Sequence, residues 1–171
     1  MKVILLAAIS VDGFIAQSAN QKSRDWNSKE DRKFFRDKVL AAGTLIMGST
    51  TFNTFRKPMH DRQILVYTSK PESLAEFDPT QVKAVNKPPA ELVKELAAEG
   101  RKEVAVTGGA HVYQQFLAAG LIDEIFLTME PLFFGDGVKL LSEELHLNLK
   151  LQKAEQMNEQ GTMQLHYVVQ K

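Results

Sequence analysis

The chain contains no cysteine, and its charges cancel, with 21 Lys and Arg against 21 Asp and Glu. The missing thiol excludes disulfides, thiolate-ligated metals and cysteine nucleophiles together. Zero net charge provides no overall field for nucleic acid or an acidic membrane surface, so any anion must be held by local groups. Long hydrophobic runs are absent too. The N-terminal one, Val3 to Ile9, is strand-sized, far below the roughly 20 apolar residues of a membrane helix. Asp12-Gly13 follows it without a small-residue cleavage pattern, so the run reads as a buried strand and the protein as cytoplasmic. His60, His111, His146 and His166 are scattered without ligand spacing, and no metal is expected. No Ser-centred nucleophile elbow occurs, and Glu143-Glu144 reads as a solvated helix face.

What is present is a chain of 171 residues, 44% hydrophobic, enough for one domain spanning 1–171 with a proper core. Periodicity orders its elements. After the first strand, Ser28 caps a helix with Glu30 and Asp31 in its first turn, running with Phe34, Phe35, Val39 and Leu40 to Gly43. Strands follow at Thr44–Met47, Gln63–Tyr67, Val82–Val85 (short, near an edge) and Glu103–Thr107. Helices follow at Gly48 to about Phe55, Pro88–Ala98 and Ala110–Ala119. Ile122–Met129 is a further strand, and Leu149–Glu155 with Met163–Val169 form a closing antiparallel hairpin. Strands alternating with helices predict an α/β fold, a mainly parallel sheet with an antiparallel edge.

Ligands of such sheets sit at the carboxyl ends of strands. In Val104 to Phe116 a β-branched run meets Gly108-Gly109 and passes directly into a helix. That arrangement offers bare backbone N–H groups and a helix N-terminus to a phosphate. A tight turn without a ligand explains the same residues. Gly48-Ser49-Thr50-Thr51 repeats the theme after another strand.

Taken in order, the segments Ala7–Ala16, Trp26-Asn27 with Asp31 and Phe35, Ile46–Phe52, Arg62–Pro71, Thr107-Gly108-Gly109 with Val112-Tyr113, and Leu127-Thr128 resemble the dihydrofolate reductase superfamily. Ser10–Gly13 and Pro131–Leu141 resemble its riboflavin-biosynthesis reductase branch. The resemblance implies a three-layer dihydrofolate reductase-like fold and an NADPH-dependent reductase acting on a pteridine or aminopyrimidine ring. A non-catalytic NADPH-binding protein, or a pterin- or flavin-binding one, stays open beside it. The backbone at Ala8 and Ile15 would hold the nicotinamide carboxamide. Gly48, Ser49, Thr50 and Thr51, with Gly108, Gly109, Ala110, His111 and Val112, would face the pyrophosphate. Thr68, Ser69 and Lys70 would meet the 2′-phosphate. Ser49 stands where an arginine is usual, a lack that Arg56, Lys57 or Lys70 could offset. Pairing through terminal strands, hence a homodimer, is implied as well.

For the chemistry, Asp31 lies one turn before Phe34 and Phe35 and shares their inward face. An inward carboxylate needs a partner, which a substrate N–H supplies; a capping box with Ser28 is the alternative. The resemblance puts Thr128 near Asp31 and Tyr113 near the nicotinamide. It makes Trp26, Phe35 and Phe55 walls for a flat ring, and Arg62 a fork for a substrate carboxylate. The phenylalanines equally fill core, and Arg62 equally reads as a solvated loop cation beside Asp61.

Overall fold

A computed structural model describes residues 1–171. Strand β1 (Lys2–Ser10) lies inside the sheet because both its faces are apolar and covered. Val3, Leu5 and Ala7 belong to one core cluster and Ile4 and Leu6 to the other, the period-two alternation of a strand between two layers. The remaining elements are β2 (Phe14–Ala16), α1 (Lys29–Ala42), β3 (Thr44–Gly48), α2 (Ser49–Asn53), β4 (Gln63–Tyr67), β5 (Val82–Val85), α3 (Pro89–Ala98), β6 (Glu103–Val106), α4 (Ala110–Ala118), β7 (Glu124–Glu130), β8 (Val138–Lys139), β9 (Leu149–Gln156) and β10 (Met163–Val169). Short 3-10 turns occupy Ser23–Asp25 and Pro71–Leu74.

Eight strands form one sheet in the order β5-β4-β3-β6-β1-β7-β10-β9. Pairing is parallel from β5 through β7 and antiparallel on both sides of β10. Leu92 and Leu96 of α3 and Val112, Phe116 and Leu117 of α4 cover one face; Val39 and Ala42 of α1 and Phe52 of α2 cover the other. This is the three-layer α/β arrangement expected, with β5 at one edge and the terminal hairpin at the other. All eight residues of β9 are exposed. No helix is long and apolar enough to cross a membrane.

Local chemistry sets the helix ends. Ser28 Oγ accepts from the Asp31 N–H at 3.1 Å, and Gly43 closes α1 in the left-handed region at φ 68°. Two features depart from the sequence reading. Strands β2 and β8 pair with each other in a separate two-stranded sheet, where a Cβ at Gly137 would strike the Ala16 carbonyl. Glu143 and Glu144 lie on an irregular exposed segment rather than on a helix, with the Glu143 N–H donating to Gln114 Oε1 at 3.2 Å.

Candidate functional site

Because β6 is inserted between β3 and β1, the two glycine-bearing bends leave neighbouring strands side by side. The Gly48 N–H donates to the Gly108 carbonyl at 2.8 Å. A Cβ on Gly48 would lie 3.3 Å from Val112 Cγ2, and one on Gly109 3.2 Å from Thr51 Oγ1. Gly108, at φ 119°, has a conformation that an L side chain disfavours. No side chain caps α2 or α4, so the free N–H groups of their first turns are left at the same bend.

A cleft of about 580 Å³ opens at these bends. Its wall contains Ala8, Ile15, Trp26, Asp31, Phe35, Gly48, Ser49, Thr50, Thr51, Phe55, Gly108, Gly109, Ala110, His111, Val112, Tyr113 and Thr128. Elements from 8 to 128 thus converge on one space. His111 is exposed at the rim and shares a hydrogen bond with Gln115 at 3.1 Å.

Four residues of the sequence reading lie outside that wall. Arg62 precedes the amino end of β4, five residues from the end that reaches Gly48, or roughly 15 Å along a strand. Its Nε donates to the His60 carbonyl at 3.2 Å. Thr68, Ser69 and Lys70 follow the correct end of β4 but form a separate turn, where Thr68 Oγ1 accepts from the Lys70 N–H at 3.1 Å. Of the cations offered in place of an arginine at 49, Arg56 is committed elsewhere. Its guanidinium donates to Asn53, to the Ser73 carbonyl and to Glu76, the last at 2.7 Å.

Asp31 is 6% exposed, and Asn27 Nδ2 donates to its Oδ2 at 2.6 Å. Burial pushes its carboxyl above the usual range; hydrogen bonds from Thr128 and Asn27 oppose this, the negative charge of Glu130 adds to it, and Arg32 opposes it. Only half of the anticipated capping box forms. The Ser28 hydroxyl takes the Asp31 N–H, but the Ser28 N–H goes to Glu130 Oε1 at 2.7 Å, so the Asp31 side chain has no capping duty. Thr128 is 2% exposed beside it, in register with Ala8 of β1.

Tyr113 is buried, and its hydroxyl donates to the Leu6 carbonyl at 2.6 Å; burial, then the nearby Asp31, holds its proton far above the ordinary tyrosine range. Two further groups in the wall have buried polar atoms and no protein partner: Trp26 Nε1 and the Tyr67 hydroxyl. Burial pushes Tyr67 up to about 12. The Trp26 ring meets Phe134 edge-on at 5.2 Å between centroids. Sequence reasoning missed Asn27, Tyr67 and Glu130. Asn27 stood four residues before Asp31, and Tyr67 ended a strand already placed; only Glu130 left no local signal.

The model of the family described as the RibD C-terminal domain matches residues 1–163. The uncharacterized protein YwjB of Bacillus subtilis strain 168 is 27% identical over 176 residues, covering 98% of this chain and 97% of that one. Among solved structures, RibD of Acinetobacter baumannii superposes with a TM-score of 0.81 at 19% identity, covering 99% of this chain and 58% of that one. Dihydrofolate reductase of Enterococcus faecalis, complexed with NADP(H), gives 0.69 at 20% identity, covering 99% and 97%. At such identities these structures establish the fold.

Proposed function

The chain belongs to the RibD C-terminal domain family, and on that premise we propose that it is an NADPH-dependent reductase of a pteridine or aminopyrimidine-type ring. The observation that carries this reading is the single cleft that two glycine bends share with a buried Asp31, whose burial raises its carboxyl above the usual range. The residues fit the cofactor. A Cβ at either bend would fill the cradle, the first turns of α2 and α4 are uncapped, and the Trp26 indole and Tyr67 hydroxyl are buried donors without partners.

When bound, the nicotinamide would supply a hydride. The Gly48–Thr51 and Gly108–Val112 backbone would hold the diphosphate, and the backbone at Ala8 and Ile15 would orient the carboxamide. Asp31 would hydrogen-bond the ring N–H of the acceptor and hold a proton beside the C=N nitrogen that receives one, with Thr128 and Asn27 fixing its carboxyl. Trp26, Phe35 and Phe55 would exclude water from a flat ring. With its hydroxyl donated to Leu6, Tyr113 supports the Gly108 bend rather than supplying a proton.

A thermal-shift comparison of NADPH with NADH, followed by loss of nicotinamide absorbance in the presence of dihydrofolate or a ribosylaminopyrimidine, tests the reading. Ligand at a hundred times its dissociation constant adds about 2.7 kcal/mol of stability. The expected result is stabilisation by NADPH and turnover of one ring class. Stabilisation without turnover of any heterocycle would leave a binding protein, and no stabilisation by either nucleotide would overturn the assignment.

A further inference from the structure

Asp31 and Glu130 are the two carboxylic acids of the interior, 6% and 2% exposed. Glu130 has no role in the scheme above, and no cation pairs with it. Its Oε1 accepts from the Ser28 N–H and its Oε2 from the Thr162 hydroxyl, each at 2.7 Å. Thr162 is itself 1% exposed, and Asn158 Nδ2 donates both to its hydroxyl at 2.9 Å and to Glu30 at 3.1 Å. One acid therefore joins the end of β7, the first turn of α1 and the β9–β10 connection. Glu130 stands two residues beyond Thr128, so the strand's period of two turns both toward the same layer as Asp31.

At the third position of α1, Asp31 is where a capping-box acid would reach back to the Ser28 N–H. Glu130 has taken that donor. We propose that Glu130 is a positioning residue for the acid of the cleft, occupying the Ser28 N–H and so holding the Asp31 side chain off its own helix cap. The role rests on the reading of Asp31 as the ring-binding acid. The groups facing Asp31 are Thr128 and Glu130 from β7, Asn27 from the preceding turn, Arg32 from its own helix and Tyr113 from α4. Among them Glu130 is the one that adds negative charge, and no cation pairs with it.

Two variants move this balance in opposite directions. Glu130→Gln keeps an oxygen for the Ser28 N–H but removes the charge. Thr162→Val keeps the carboxyl group and removes one of its two donors. The readout is the titration of the Asp31 side-chain carbon by NMR in the whole protein, assigned by difference from Asp31→Asn. Its midpoint is expected to fall in Glu130→Gln and to rise in Thr162→Val; if NADPH is turned over, the pH–rate profile follows with KM for NADPH unchanged. A merely structural brace would instead admit water in both variants and move both midpoints down, which would overturn the proposal, as would a midpoint that neither variant moves. If Glu130→Gln does not fold, the direction in Thr162→Val alone decides. Lack of turnover would sink the reductase reading and leave this titration intact, so the two failures are separable.

Discussion

Placing a methyl group at residue 48 tests the clasp directly. Gly48 has φ −81°, which alanine accepts, so reduced freedom of the unfolded chain favours Gly48→Ala by about 0.4–1 kcal/mol. Against this, the new Cβ would lie 3.3 Å from Cγ2 of Val112, a β-branched side chain 2% exposed that has no room to turn away. Overpacking of that kind costs about 1–3 kcal/mol, so a net loss of about 1 kcal/mol is expected. For a chain of this size that lowers Tm by roughly 2–4 °C. The same methyl group lies 3.9 Å from the Gly109 nitrogen, in the proposed diphosphate cradle. If it weakens NADPH tenfold, the stabilisation by a fixed excess falls by about 1.4 kcal/mol, half of the wild-type gain. The assay is thermal melting of Gly48→Ala, Val112→Ala and the double variant, each with and without NADPH. Val112→Ala removes the opposing methyl, so the pair should be coupled by about 1 kcal/mol. Additivity within about 0.5 kcal/mol would show that the bends do not touch, and the cradle would be refuted.

Asp31→Asn should abolish most NADPH-dependent turnover while raising stability at neutral pH. The folded state holds the Asp31 proton more tightly than the unfolded chain does, so the stability from that proton is full below the ordinary value of 3.8 and is lost as pH rises through the raised folded value. The advantage of the variant should therefore shrink on acidification through that window, as followed by melting at several pH values; a constant difference would count against a buried acid whose carboxyl is raised by burial. Ser28→Ala removes the oxygen that accepts the Asp31 N–H and should cost about 1 kcal/mol, seen as a Tm lower by roughly 2–4 °C. An unchanged Tm would mean that the cap contributes nothing.

Much of the fold is visible in the sequence because its signals are local. The apolar run of β1, the Ser28 start and Gly43 stop of α1, and the strand–glycine–helix joins each depend on a few adjacent residues. Strand order is not local. Nothing near Glu103 tells that β6 inserts between β3 and β1, yet that insertion brings Gly48 against Gly108. Strands β2 and β8 escaped notice because they are three and two residues long and pair across more than a hundred intervening positions. The place of Arg62 depends likewise on strand direction, since it precedes the amino end of β4. Glu130 was beyond reach for a related reason: its partners Ser28 and Thr162 lie 102 residues before it and 32 after it.

The chain's one tryptophan is Trp26, and its indole lines the cleft with the ring nitrogen unengaged. Intrinsic emission excited at the red edge, where tyrosine does not absorb, therefore originates at a single point of the molecule, and that point borders the space a guest would fill. A label-free fluorescence titration would report filling of the cleft itself, undiluted by signal from any other indole.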